Sequence, residues 1–210
     1  MKSRGVLDIV KFYKDIGLEY TKRFSISTIE GKWDKLEKEV LQCRKCGLCK
    51  TKKNAVFGGG NINADIMFVG EAPGRDEDIQ GKPFVGRAGK LLNELLRDVG
   101  INREDVYIAN CLKCRPPNNR DPETEEIKAC SAYLKQQIAL VKPKVIATLG
   151  RYSTYELTNK KGTLGSLRGK TFSFNNIDVI PLYHPAYLLR NPNAAEMFIT
   201  DLKKIKSAIG

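Results

Sequence analysis

DIMFVG, residues 65–70, is the stretch that decides the fold. It is a short apolar run closed by glycine, the pattern of a strand buried on both faces that ends in a sharp turn. Beyond it, Ala88, Leu91, Leu92, Leu95, Leu96 and Val99 recur at i, i+3, i+4, i+7, i+8 and i+11. That spacing lines one face of a helix, and Gly100 closes it as a C-cap. Val106–Asn110 then reads as a second strand. A strand, a helix and a strand in this order make a crossover unit, so the two strands should be parallel.

The same alternation continues toward the C-terminus. Asp121-Pro122 supplies an N-cap and a first-turn proline for another helix, which must stop before Pro143. Val145–Gly150 and Ile177–Leu182 read as strands three and four, with a short hairpin around Lys170–Asn176 before the fourth. A last helix carries Phe198, Leu202, Ile205 and Ile209 on one face. The expected fold is α/β: a three-layer α/β/α sandwich around a central, four-stranded, mainly parallel sheet. Toward the N-terminus a helix over Trp33–Leu41 leads directly into Cys43. Residues 1–32 read as a basic extension, with a helix marked by Val6, Ile9, Val10, Tyr13 and Ile16 and a linker around Ser25–Gly31. The expected domain therefore runs over 33–210.

Bulk properties narrow the function classes. The 210 residues are 41% hydrophobic and 29% charged, ordinary for a globular protein long enough to bury a core. No apolar run approaches the roughly 18 residues that cross a membrane, and charges interrupt the N-terminus too often for a signal peptide. A prokaryotic cytoplasm, at the nucleoid, is the expected location. Lys and Arg number 36 against 24 acidic residues, a net charge of +12 that suits a polyanion, although a lysine-rich solvated surface gives the same sum.

Six cysteines without a secretory signal argue against disulfides, and His184 is the sole histidine. Cys43-x-x-Cys46 can present two thiols to one centre, and Cys114 and Cys130 can complete a set of four. Spacing alone accepts either a tetrahedral zinc or a 4Fe–4S cluster. Cys49 and Cys111 are then spare. Arg44, Lys45, Lys50, Lys52 and Lys53 crowd the same stretch, which is expected to face a phosphate backbone.

In parallel sheets, ligands bind beyond the carboxyl ends of the strands. Three segments fall there: those beginning at Glu71, Asn110 and His184. GEAPGRDED (70–78) is not a phosphate loop, because no Gly-Lys-Ser/Thr follows and its carboxylates would repel phosphate. Together with GKPFVGRAG (81–89), NCLKCRPPNNR (110–120) and HPAYLLRNP (184–192), it resembles the family-4 uracil-DNA glycosylases over about residues 36–209.

The resemblance implies a repair enzyme that flips uracil out of DNA and hydrolyses its N-glycosidic bond, with Cys43, Cys46, Cys114 and Cys130 holding a 4Fe–4S cluster. It implies that Phe84 stacks on the base, that the amide of Asn110 reads uracil, that Glu77 excludes the thymine methyl and that the backbone at Ala72 helps fix the ring. His184 is implied as the donor to uracil O2 and Glu71 as the group that orients the attacking water. Leu188, Leu189 and Arg190 are expected at the DNA, one leucine as a wedge in the vacated stack, the other in the core, and the arginine on phosphate. Three alternatives remain open on the sequence alone. They are a relative that traps the abasic sugar through a histidine in an extra loop absent here, an inactive iron–sulfur nucleic-acid-binding protein, and a zinc-stabilised structural module. A monomer is expected, and the N-terminal extension offers a place for a sliding-clamp contact although it carries no recognisable motif.

Overall fold

The computed structural model of the chain describes residues 29–210, and the helix expected over residues 6–16 lies outside them. By internal contacts the chain divides into residues 1–32 and 33–210, and every strand among the described residues belongs to the second unit. The helix expected from Trp33 belongs to α1 (Ile29–Leu41), so residues 29–31 are helical where a linker was expected. Among the described residues no helix is long and apolar enough to cross a membrane.

After α1 come β1 (Gly59–Gly60), β2 (Ile66–Gly70), α2 (Arg75–Gln80), α3 (Arg87–Asp98) and β3 (Val106–Asn110). The chain continues through α4 (Thr124–Val141), β4 (Val145–Leu149), α5 (Arg151–Thr158), α6 (Leu164–Leu167) and β5 (Phe172–Phe174). It ends with β6 (Ile177–Leu182), α7 (Pro185–Leu188) and α8 (Ala195–Ser207). The sheet has six strands in the order β1-β3-β2-β4-β6-β5, which corrects the expected four. The four expected strands form its centre and are parallel throughout, while β1 and β5 are added antiparallel at the two edges.

The edge strands have separate local causes. Asn175 and Asn176 both adopt positive φ, 49° and 65°, the conformation a tight hairpin turn demands, and so return the chain from β5 to β6. β1 exists because Gly60, at φ 123°, passes so close to β3 that a Cβ would stand 2.0 Å from the Val106 carbonyl oxygen.

Every residue of β2, β3 and β4 is buried, as expected of parallel strands covered on both faces. Alternate side chains serve opposite cores. Ile66, Phe68, Val106, Ile108, Ala147 and Ile180 meet Leu92, Leu96, Phe198 and Leu202 of α3 and α8 on one face. Met67, Val69, Tyr107, Ala109, Ile146 and Val179 meet Leu134, Ile138 and Leu157 of α4 and α5 on the other. A third cluster joins Leu36 and Val40 of α1 to Leu48, Phe57, Leu112 and Tyr133.

Helix ends obey capping chemistry with one revision. The helix expected from Asp121 starts instead after Glu123, whose carboxylate forms a reciprocal capping box with Glu126. α4 stops at Val141 because Lys142 turns left-handed, φ 53°, ahead of Pro143. Gly100, at φ 69°, follows α3, and Lys206 from α8 donates to the terminal carbonyls of Val99 and Gly100 at 2.8 and 3.1 Å.

Candidate active site

Sheet register brings the site together. Gly70 pairs with Asn110, and Leu149 with Leu182, so the segments beginning at Glu71, Cys111, Gly150 and Tyr183 all leave from one edge. β2 has β3 on one side and β4 on the other, so successive connections diverge from it, and the crevice that binds ligands in such sheets opens there. A cleft of about 440 Å³ occupies this position. Its lining includes Glu71, Ala72, Glu77, Phe84, Asn110, His184 and Arg190, all of them expected from the sequence.

Phe84 is held in an unusual conformation, φ 52°, which side-chain-bearing residues rarely adopt. The first turn of α3 lies against its backbone: a Cβ on Gly89 would stand 1.9 Å from the Phe84 carbonyl oxygen. Glu77 closes the same loop from α2, where its Oε1 accepts the N–H groups of Val85 and Gly86 at 2.9 and 2.8 Å. Its carboxylate is thus fixed at the cleft wall by the loop that carries Phe84. On the other side, a Cβ on Gly70 would fall 2.3 Å from Asn110 Oδ1 and 3.1 Å from the Phe84 ring. Ring and amide therefore share the bare Cα of Gly70.

Asn110 is 2% exposed, and its Oδ1 is a buried acceptor without a hydrogen-bond partner among the described residues. Leaving such an atom unpaired is unfavourable by about 1–3 kcal/mol, so its persistence points to a ligand that pairs it. The segment that carries it is clamped: Cys111 donates to the Gly70 carbonyl at 3.0 Å and Leu112 to that of Glu71 at 2.9 Å.

His184 caps α7, with Pro185 at the first helical position. Its Nδ1 accepts the Ala186 N–H at 3.1 Å, which leaves the proton of the neutral ring on Nε2. Burial, followed by the charge of Arg190, presses its pKa well below the usual histidine value, to about 4. The ring lies 5.8 Å from that of Phe84, centroid to centroid. Glu71 shifts the other way. Burial, then the nearby charge of Asp121, pushes its carboxyl up to about 7, with Arg151 opposing.

Leu188 and Leu189 part company. Leu188 is 2% exposed and packs into the core under α3, whereas Leu189 is 39% exposed. Only Leu189 is free to meet a partner. Arg190 lines the cleft beside Tyr187, which stacks on Tyr183 at 4.7 Å.

The four singled-out cysteines gather in the third cluster. Cys114 and Cys130 are buried there, and Cys43 and Cys46 lie partly buried against them. Backbone N–H groups point at the sulfurs: Lys45 at Cys43, 3.5 Å, Leu48 at Cys46 and Lys113 at Cys130. Burial raises the thiols of Cys46 and Cys130 and pushes that of Cys114 up to about 12. Cys111 belongs to the sheet core instead. Among the described residues no three His, Cys, Asp or Glu side chains are arranged to hold a single metal ion.

Sequence reasoning missed several lining groups. Arg120 reaches the cleft while paired to Glu126 by two contacts of 2.9 and 2.6 Å, and Asn119 and Tyr187 stand beside it. Arg151, the first residue of α5 just beyond β4, lies outside that lining, yet its charge opposes the upward shift of Glu71. The one available signal was its position directly after a strand-ending glycine.

Comparison with known proteins shows the family. The family model described as "Uracil DNA glycosylase superfamily" matches residues 57–206. A type-4 uracil-DNA glycosylase of Saccharolobus solfataricus is 51% identical over 185 residues, covering 84% of this chain and 86% of that protein. Those of Archaeoglobus fulgidus and Sulfurisphaera tokodaii are each 48% identical, over 84% and 82% of this chain and 93% and 83% of their own lengths. The chain belongs to the uracil-DNA glycosylase superfamily, among its type-4 members.

Proposed function

We propose that the protein removes uracil from DNA by hydrolysing the N-glycosidic bond, the first step of base excision repair, and that the cleft at the β2/β4 crevice does the chemistry. The buried, unpaired Oδ1 of Asn110 carries the reading. A flipped uracil offers N3–H to that oxygen and O4 to the amide N–H, whereas cytosine presents the opposite pattern on the same edge. Phe84 forms the floor against which the ring stacks. Glu77, locked by Val85 and Gly86, walls off the space that a C5 methyl would need. The backbone at Ala72, in the loop after β2, helps fix the ring.

Bond cleavage leaves negative charge on uracil O2 and positive character on the sugar. A neutral His184 with its proton on Nε2 donates to O2, and its fixed orientation removes the need to reorganise as charge develops. Glu71 orients the water that attacks the sugar carbon and, when ionised, favours the sugar cation. Leu189 enters the vacated stack and Arg190 takes a phosphate.

Cys43, Cys46, Cys114 and Cys130 would hold a 4Fe–4S cluster. Four soft donors, apolar walls and backbone N–H groups aimed at sulfur suit it, and a cluster holds its thiolates further apart than a single ion does. When bound it supplies a cross-link between α1, the loop after β3 and α4, closing long loops; its binding would displace protons from the raised thiols.

The test is strand cleavage, after alkali, of a labelled oligonucleotide carrying one uracil, beside thymine and cytosine controls. Cleavage at uracil alone is expected; none by protein with its thiol site filled would remove the enzymatic reading. Run across pH, kcat/KM should climb with a midpoint near 7, because the raised carboxyl of Glu71 is protonated and inactive below that point. His184 remains neutral throughout this window. Glu71→Gln should lower and flatten the profile.

Gly70→Ala provides a test of geometry alone. Its Cβ must displace either the Asn110 amide or the Phe84 ring, and a misplacement of about 1 Å lowers activity by roughly 10²-fold. The expected result is that loss in kcat/KM with the circular dichroism spectrum unchanged.

A further inference from the structure

Lys113 is 1% exposed, which is exceptional for an ammonium group. Its Nζ donates to the Asn110 carbonyl at 2.8 Å and to Gln137 Oε1 at 2.6 Å, both neutral acceptors. Among the described residues no carboxylate pairs with it. The thiols of Cys111 and Cys114 flank it in sequence, two residues before it and one after. A buried cation without a counter-anion is strongly unfavourable, so an anion belongs nearby. A filled four-thiolate site supplies one.

The rest of the residue is fixed by the same two neighbourhoods. Its N–H points at Cys130 sulfur, its carbonyl accepts from Val56 at 2.7 Å, and the next residue is Cys114. Gln137, the other partner of the ammonium, donates to the Phe57 carbonyl at 2.9 Å and to the Tyr107 hydroxyl at 3.1 Å. Every polar group in this chain of contacts is buried, and the chain runs from the thiols to the residue with the unpaired amide oxygen.

We propose that Lys113 is a positioning residue that couples the thiolate site to base reading: its ammonium is the countercharge of the site and holds the backbone of Asn110 in register. This rests on the roles assigned above to Asn110 and to the four cysteines.

The test compares wild type with Lys113→Met, both purified with the site loaded, by two readouts. The first is inhibition of uracil excision by free uracil, which reports on the Asn110 amide. The second is the reduction potential of the cluster by protein-film voltammetry, a quantity that loosened packing alone would not move in a fixed direction. The variant should bind uracil about tenfold more weakly, the order expected on losing a charge-assisted hydrogen bond. Its potential should fall, because removing a positive charge favours the more oxidised cluster. Unchanged values of both, or a raised potential, overturn the proposal.

If Lys113→Met does not fold, Gln137→Met carries the test. It leaves the charge in place, so weaker uracil inhibition at an unaltered potential is expected, and wild-type inhibition overturns the positioning role. Failure of wild type itself to excise uracil or to show a cluster counts against the proposed function instead.

Discussion

Asn110→Leu is expected to lower kcat/KM for uracil excision by roughly 10³-fold while leaving the protein at least as stable as wild type. The two halves have one cause. Hydrogen bonds to a group gaining charge are worth about 1.5–3 kcal/mol each, and in the proposed complex the amide makes two of them, so each tenfold step of about 1.4 kcal/mol is lost two to four times over. Without a bound base, however, Oδ1 has no partner among the described residues, and replacing a buried unsatisfied acceptor by a methyl of similar shape removes an unfavourable term. Thermal unfolding and single-turnover cleavage of one preparation check both. A fall in melting temperature alongside the lost activity would mean that Asn110 is a structural residue and that its unpaired oxygen has another explanation.

His184→Ala is expected to reduce the single-turnover rate by roughly 10²–10³-fold, the range found for removing one donor to a developing oxyanion. Binding of DNA that already carries an abasic site should change little, since that complex has no charge on O2 to stabilise. The variant also loses the cap of α7, so a reduction in stability of about 1 kcal/mol accompanies it. His184→Asn separates the two effects, because asparagine caps helices well but does not put a donor where Nε2 lies. Activity restored by asparagine would show that the histidine matters only as a cap.

The fold was legible in the sequence where burial is complete. β2, β3 and β4 begin and end within a residue of their expected bounds, since strands covered on both faces must be apolar throughout and must stop at the turn. The edges were less legible. β1 consists of two glycines, which carry no hydrophobic pattern, and it pairs only because Gly60 lacks a Cβ that would strike Val106. The start of α4 was placed at Asp121 on local capping preference, but the Arg120–Glu126 pair and the capping box with Glu123 set it later. The motif residues around the cleft could be named in advance. Arg151 could not, because its approach to Glu71 depends on which strands adjoin, and sequence order does not state that β4 lies beside β2. Lys113 was hidden for a different reason. A lysine between two cysteines reads as surface charge, and only the packing of α4 reveals that it is enclosed.

The left-handed backbone of Phe84 has a kinetic consequence. Such a conformation stores about 1–3 kcal/mol in a residue with a side chain. Here it is maintained by contacts already complete in the free protein, with Gly89 beneath and Glu77 alongside. That energy is committed during folding, so the stacking floor gives up little conformational entropy when a base arrives. On the stacking role proposed for Phe84, capture should then depend on how often the duplex releases a base. A mismatched or unpaired uracil, which leaves the helix more readily, should be captured faster than one paired with adenine.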